Sequence, residues 1–389
     1  MSDKSSNVVD YLRWRGDLTF EQDPFNEVDN LLLCVVSYIN FGRILELRSK
    51  LPSEAMLLKD VCEQLTEEDE QRGLSSHAYI PVMRLMASVR RFAQVRMFGY
   101  ESVHDEEREM QFDAVSFLLP DHTVFAAFMG TDRSLVGWKE DFNMSFLDAV
   151  PAQERAAAYA AEIASACSGY GLRLGGHSKG GNLAAWAASH LPEELQRRIV
   201  ATYNNDGPGF SHDLLETDGY RRVADRMITL IPESSIIGVL LEHAENYEII
   251  DSSNRSVMQH EPLSWNVLGN HFVHQERRSP LGKLSDGVLR EWLHSMTPTE
   301  RETFIEALFD VLSKGGQISS LEELPGGLAG GASFLRELVG AEDEKKSAIT
   351  DGLRRLMSDV REGLKRGAED GLSAAKNGLR SLLSDWIRE

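Results

Sequence analysis

Residues 171–186 read GLRLGGHSKGGNLAAW, and this stretch decides the fold class. The apolar run LRLGG predicts a short buried strand, and NLAAWAASHL predicts a helix that begins after a glycine-rich turn. Downstream, three further strand patterns alternate with two helix patterns: RIVATYNND, HDLLETDGYRRVADR, MITLIP, SIIGVLLEHA and YEIIDSS. Strands that alternate with helices of 10–15 residues indicate parallel βαβ units. We therefore predict an α/β fold with a mostly parallel sheet flanked by helices, and a binding site at the carboxyl ends of the strands.

Upstream of this stretch the patterns are mixed. A helix is predicted from about residue 23, in DPFNEVDNLLLCVVSYINF, and residues 77–97 also look helical. Residues 112–130 contain two β-rich runs around the turn signal Pro120-Asp121, which predicts a hairpin. Residues 151–168 are rich in alanine and glutamate and predict a helix.

The character of the chain changes after about residue 276, where charged helix patterns replace strands. We predict four segments: an α/β domain at 1–275, a helical extension at 276–313, a glycine-rich linker at 314–333 and an amphipathic helical tail at 334–389. The tail is expected to pack on the domain or on a protein partner. Peripheral membrane contact through residues 341–389 is the alternative.

Composition limits the class of protein. The net charge of −20 and the pI near 5.0 argue against a nucleic-acid partner, because phosphate would be repelled. Three scattered cysteines predict reduced thiols and contain no zinc motif. The N-terminus has no apolar core of signal-peptide length, and no later run is long enough for a spanning helix, so we expect a cytoplasmic protein. Nothing in the sequence predicts the oligomeric state.

The pentapeptide from Gly176 to Gly180 matches G-x-S-x-G, and it lies between the predicted strand and helix. This strand–turn–helix setting is typical of a nucleophile elbow, with Ser178 as the nucleophile. The flanking glycines give a sharp turn the space it needs, and the helix that follows directs its amide dipoles towards an oxyanion. His177 is expected to point away from the serine.

A nucleophilic serine requires a general base, and His260 is the best placed histidine because it follows the last predicted strand after a short loop. His271 and His274 lie further along, beside a chain exit. A carboxylate that orients the base could be Asp206 or Glu233, each at the end of a predicted strand between the serine and the histidine. Asp206 is preferred because its short side chain can be held rigidly by the turn that follows.

An oxyanion hole needs two donors. The backbone amide of Lys179, the residue after the nucleophile, is one candidate. Thr131 is the second, because it follows the predicted strand TVFAAF in the segment FMGTDRSLVGW and offers both an amide and a hydroxyl.

At these residues the chain resembles a lipase-type α/β-hydrolase, specifically a bacterial group related to the class 3 (fungal-type) lipases. The resemblance rests on GHSKGG at 176–181 and FMGT at 128–131, and it extends over about residues 8–275. It implies the α/β-hydrolase fold and a segment at 132–147 that covers the active site, with Trp138 and Phe142 as lid or pocket wall. The chain differs from class 3 lipases in having Asp206-Gly207-Pro208 where they have GSP, so the acid stays open between Asp206 and Glu233.

The resulting functional hypothesis is a serine esterase or lipase-like enzyme that cleaves a small-molecule ester or lipid through an acyl-enzyme on Ser178. This chemistry requires no metal and no cofactor. The alternative is a catalytically weak hydrolase-like scaffold that binds a lipid or protein partner through its pocket and C-terminal helices.

Overall fold

The structure is a computed structural model that describes residues 6–45, 50–71, 74–132, 134–243, 245–312 and 343–369. The predicted linker at 314–333 and the tail beyond residue 369 lie outside the described residues. The chain divides into two compact units. Unit 1 comprises Met1–His104, Phe112–Gly130 and Pro151–Arg277, and unit 2 comprises Asp105–Gln111, Thr131–Val150 and Arg278–Glu389.

The described strands are β1 (Met56–Leu57), β2 (Arg96–Asp105), β3 (Met110–Leu118), β4 (Thr123–Phe128), β5 (Gly171–His177), β6 (Ile199–Asn205), β7 (Met227–Pro232), β8 (Tyr247–Ile250), β9 (Val267–Leu268), β10 (His271–Phe272) and β11 (His274–Gln275). In the described part of the chain nine of them form one sheet in the order β1-β2-β3-β4-β5-β6-β7-β8-β11. Strands β4 to β8 run parallel to one another, whereas β3 is antiparallel to β4 and β11 is antiparallel to β8. The predicted α/β architecture with a mostly parallel sheet is confirmed.

The described α-helices are α1 (Val8–Arg15), α2 (Glu27–Val36), α3 (Leu58–Glu63), α4 (Glu67–Gln71), α5 (Leu74–Ser88), α6 (Leu135–Asn143), α7 (Pro151–Ala166), α8 (Lys179–His190), α9 (Glu193–Gln196), α10 (His212–Leu215), α11 (Asp218–Val223), α12 (Pro280–His294), α13 (Pro298–Leu312) and α14 (Asp343–Glu369). Helix α2 begins where the Asn26 side chain accepts hydrogen bonds from the amides of Val28 and Asp29, and the Asp29 carboxylate accepts one from the Asn26 amide. This reciprocal capping satisfies amides that the first turn cannot pair.

Helices cover both faces of the sheet in unit 1. Successive residues of a strand point to opposite faces, so Phe125 and Phe128 of β4 lie on different sides. Phe125 packs against Phe25, just before α2, at 5.8 Å between ring centroids, and Phe128 packs against Tyr159 of α7 at 5.9 Å. Strand β4 is therefore buried on both faces, which explains why it reads as a nearly continuous apolar run.

A buried ion pair ties the N-terminal helices together. The Arg91 guanidinium donates to both carboxylate oxygens of Asp29, at 2.7 and 2.5 Å, and both side chains are fully buried. The Tyr11 hydroxyl of α1 donates to the same carboxylate at 2.9 Å. Because the remaining donors of Arg91 reach backbone carbonyls, including that of Asp23, the pair is well satisfied inside the core.

Several sequence predictions are corrected. The predicted hairpin at 112–130 and the helix at 151–168 are present as β3–β4 and α7. The helix predicted over 77–97 ends at Ser88, and β2 begins at Arg96. The prediction of a helix over SIIGVLLEHA is wrong, since only a 3₁₀ turn at Ile237–Val239 forms there. Leu241 takes a positive φ of 65°, which an α-helix cannot accommodate, and Glu242 pairs with Phe210 as an isolated bridge.

Unit 2 is helical around its own apolar cluster. The side chains of α6, α12 and α13 meet there, with Leu135, Trp292, Phe304 and Phe309 buried. Helix α14 packs on both α12 and α13. Its buried Ile349 contacts Ala307 and Val311 of α13, and the Trp292 indole of α12 donates to the Gly352 carbonyl of α14 at 2.9 Å. No described helix is both long enough and apolar enough to cross a membrane.

Candidate active site

Ser178 occupies a sharp turn between β5 and α8. Its backbone has φ 59° and ψ −135°, a conformation that residues with a Cβ rarely adopt. The turn exposes Ser178 partly, while its neighbours His177 and Lys179 are buried. This strained strand-to-helix turn is the geometry that presents a serine hydroxyl for reaction.

The two flanking glycines are required by close backbone contacts. A Cβ on Gly176 would lie 2.1 Å from the carbonyl carbon of Gly180, and a Cβ on Gly180 would lie 2.1 Å from the carbonyl oxygen of Phe128. Both distances are far below any van der Waals contact, and the obstructing atoms are backbone. The glycines of the G-x-S-x-G pattern therefore let β5, β4 and α8 approach each other at the turn.

His260 and Asp206 form a hydrogen-bonded pair at the carboxyl ends of the strands. Asp206 follows β6, and His260 ends the 3₁₀ turn Ser256–His260, which lies after β8. Nδ1 of His260 lies 2.7 Å from Oδ2 of Asp206, whose carboxylate is fully buried. Since a carboxylate only accepts, the proton is on Nδ1, and Nε2 of His260 keeps the lone pair that a general base needs.

A second donor holds the same carboxylate oxygen. The Ser235 hydroxyl donates to Oδ2 of Asp206 at 2.7 Å, and the Asp206 amide donates to the Leu230 carbonyl at 2.8 Å. The Asp206 backbone has a positive φ of 54°. The aspartate is thus fixed by its backbone, by Ser235 and by His260 together.

Glu233, the other candidate acid, is not brought to the histidine. Its amide donates to the Ile250 carbonyl, and within the described residues its carboxylate makes no hydrogen bond or ion pair. The segment contributes in another way, because Ser234 and Ser235 follow it directly. The Ser234 amide donates to the Gln259 side chain at 2.8 Å, one residue before His260.

Ser178 is linked to this pair through the backbone. Its amide donates to the carbonyl of Asn205, the residue before Asp206, at 3.0 Å. Among the described contacts there is no hydrogen bond between Ser178 Oγ and His260, and such bonds commonly tighten only when substrate is bound. The arrangement can supply a nucleophile, a base and an orienting carboxylate.

His177 anchors the loop that carries His260, a role that its sequence position did not reveal. Nε2 of His177 lies 2.8 Å from the backbone carbonyl of His260 and so donates to it, which leaves Nδ1 to accept from the Tyr38 hydroxyl at 3.1 Å. The two imidazole rings are 4.5 Å apart. Burial, together with the nearby His260, lowers the pKa of His177 well below its ordinary value, so the ring stays neutral.

A buried amide pair joins α2 to the elbow. The side chains of Asn30 and Asn205 exchange two hydrogen bonds, at 2.8 and 3.2 Å, and Asn205 also donates to the Gly176 carbonyl at 2.9 Å. Cys34 lies beside them, and burial raises the pKa of its thiol well above the ordinary value, so it is an inert packing residue. All three cysteines are buried free thiols.

The remaining predicted site residues divide between the two units. Lys179 is the first residue of α8 in unit 1. Thr131 belongs to unit 2, where its hydroxyl donates to the Asp141 carboxylate. Trp138 and Phe142 are on α6 and pack in the cluster of unit 2, Phe142 at 5.9 Å from Phe309. Their lid or pocket role, and the oxyanion role of Thr131, stay predictions.

Comparison with known proteins finds a family and a similar solved structure. A sequence model of the Mbeg1-like family, a lipase-like family, matches residues 86–310, which is more than half of the chain. Among solved structures, the native lipase–propeptide complex of Rhizomucor miehei is similar at 15% identity. That match covers 46% of this chain and 70% of the other, with a TM-score of 0.32. No curated protein matches the chain.

Proposed function

We propose that this chain, which belongs to the Mbeg1-like family, is a serine hydrolase of α/β-hydrolase type that cleaves carboxylic esters. One observation carries the proposal: Ser178 lies on a strained elbow whose amide bonds to Asn205, directly before an aspartate that is paired with a histidine at 2.7 Å. A buried serine in an ordinary turn would need neither the strain nor the pair. The lipase-like character of the family agrees with a hydrolase.

In the proposed reaction Ser178 Oγ attacks the carbonyl carbon of the ester while Nε2 of His260 takes the hydroxyl proton. Asp206 stabilises the imidazolium that forms and keeps the ring oriented. The tetrahedral intermediate then expels the alcohol, which receives the proton from His260, and an acyl-enzyme remains. A water molecule, deprotonated by His260, attacks the acyl carbon and releases the carboxylic acid and the Ser178 hydroxyl.

The negative oxygen of the tetrahedral intermediate needs donors. We assign the backbone amide of Lys179 as one of them, because this residue begins α8 and the N-terminus of a helix favours negative charge. Thr131 is the second candidate, on the basis of its sequence position directly after Gly130. Lipids and acyl esters are the substrate class that the family resemblance favours.

A fluorophosphonate probe tests the proposal directly, since it modifies only an activated serine. The full-length protein should be labelled at Ser178, as located by mass spectrometry, and labelling should be lost in Ser178→Ala and His260→Ala. Ser165→Ala, which changes an exposed serine on α7, is the matched control and should label normally. Well-folded protein that resists the probe would contradict the proposal and favour the binding scaffold.

A further inference from the structure

A second cluster of reactive side chains takes no part in the proposed reaction. It contains Glu27, the first residue of α2, His271 of β10 and His274 of β11. One carboxylate oxygen and one nitrogen from each histidine all lie within 4.8 Å of one another. All three residues belong to unit 1, and both histidines are exposed to solvent.

Hydrogen bonds fix which ring nitrogens can bind a ligand. Nδ1 of His271 lies 2.7 Å from the Phe272 carbonyl, which only accepts, so this nitrogen carries the proton and Nε2 keeps its lone pair. Nδ1 of His274 likewise donates to the Glu248 carboxylate, so Nε2 of His274 keeps its lone pair. Nε2 of His274 then faces Oε1 of Glu27 at 3.1 Å. A lone pair opposite a carboxylate is repulsive unless a proton or a metal ion lies between them.

The donor set suits zinc. Two neutral imidazoles and one carboxylate are a ligand combination of catalytic and open zinc sites, with water in the fourth position. Zinc bonds of about 2.0–2.1 Å place tetrahedral ligands roughly 3.4 Å apart, so ligand atoms that lie within 4.8 Å of one another need to approach by at most about 1.4 Å. The exposed side chains leave room for that movement.

The surroundings of the cluster are also those of a metal site. A histidine ligand almost always donates its other nitrogen to an oxygen, which fixes the ring and raises its basicity. Glu248 plays this part for His274, and the Phe272 carbonyl plays it for His271. The Phe272 amide donates to Oε1 of Glu27 at 2.5 Å and holds the third ligand. Two carboxylates also balance the charge of a divalent ion.

We propose that Glu27, His271 and His274 form a zinc-binding site, in which Glu248 orients His274. The ion joins the start of α2 to the short strands that follow the His260 loop and stabilises the contact between them. Its fourth position is open to water, and it takes no part in ester cleavage. This proposal is independent of the proposed function.

Isothermal titration with Zn²⁺ tests the site on full-length, tag-free protein that has been stripped of metal with a chelator. Wild type should bind one ion per chain and its unfolding temperature should rise by several degrees at 100 times Kd. His271→Ala and His274→Ala should each lose binding, and Glu248→Gln should weaken it about 10- to 100-fold. The matched control is His212→Ala, because His212 is also an exposed histidine beside a glutamate.

His271→Ala is the variant least expected to disturb the fold. Among the described hydrogen bonds, the His271 side chain bonds only to the adjacent Phe272 carbonyl, so the circular dichroism spectrum of the variant should match that of wild type. If Zn²⁺ does not bind in a 1:1 ratio, the proposal is overturned. The contacts between Glu27, His274 and Glu248 would then be explained by hydrogen bonds through protons instead of a metal ion. Binding that survives both histidine substitutions would overturn it equally.

Discussion

Replacing Asp206 with asparagine separates the two candidate acids, because the change keeps the side-chain volume and an asparagine tolerates the positive φ of 54°. Oδ2 of Asp206 accepts from both His260 and Ser235. If the asparagine places its NH₂ group at the Oδ2 position, the donors of His260 and Ser235 both face another donor and lose their acceptor. If it places its oxygen there, the NH₂ group occupies the position of Oδ1, which has no hydrogen-bond partner among the described residues.

Either orientation removes the charge that stabilises the imidazolium in a fully buried position. Replacing this carboxylate by an amide in a Ser-His-Asp site costs about 10⁴-fold in kcat. Each factor of ten is about 1.4 kcal/mol, so the transition state loses about 5.5 kcal/mol. Backbone bonds and the turn are unchanged, so KM should move little, whereas the buried donor left without an acceptor should lower the free energy of unfolding by about 1–3 kcal/mol.

The assay is hydrolysis of a soluble p-nitrophenyl ester by purified full-length protein, with the rate of fluorophosphonate labelling as a second readout. Glu233→Gln is the matched control and should stay within a few-fold of wild type, because the Glu233 carboxylate has no described partner. A variant of Asp206 that keeps its activity while Glu233→Gln loses 10³-fold or more would refute the assignment and identify Glu233 as the acid.

Three further changes have defined outcomes. His177 is neutral in the folded chain but takes up a proton below a pH of about 6.5 in the unfolded chain, so the free energy of unfolding falls as the pH drops below 6.5. His177→Gln removes this contribution. In urea denaturation between pH 5 and 6.5, the slope of unfolding free energy against pH should decrease by up to about 1.4 kcal/mol per pH unit. Gly238→Ala puts a Cβ 2.3 Å from Oδ1 of Asp206 and should lower ester turnover at least ten-fold, whereas Gly287→Ala, with open space around it, should not. Arg91→Met leaves Asp29 buried without its cation and should cost about 3–5 kcal/mol in chemical denaturation.

The fold was predictable where local patterns and tertiary structure agree. The strand–turn–helix around Ser178 has one sequence signal for each element, and β6 and β7 are mainly apolar runs of strand length. The helix predicted for SIIGVLLEHA is wrong because only the apolar spacing of this segment is helical. In the structure Gly238 packs against the Asp206 carboxylate, and the positive φ of Leu241 is incompatible with an α-helix. Tertiary contacts of this kind override a local pattern.

Of the candidate site, the sequence could predict only Ser178, His260 and Asp206, whose catalytic roles stay predictions. These residues stand at the ends of predicted elements and have side chains suited to a nucleophile, a base and an acid. Asn30 could not be identified, because its partner Asn205 is 175 residues away and a lone asparagine in an apolar helix carries no signal. His177 is visible in the sequence next to Ser178, but its hydrogen bond to the carbonyl of His260 depends on a loop 83 residues later.

The backbone conformation of Ser178 lowers the stability of the fold at a single residue. A residue held at φ 59° and ψ −135° raises the free energy of the folded chain by about 1–3 kcal/mol, and glycine would avoid most of that penalty. Folding alone therefore gives no reason for a serine at this turn. A trade-off of this kind is expected where a side chain is chosen for what it does to another molecule, and random substitution selected only for thermal stability should drift towards glycine at position 178.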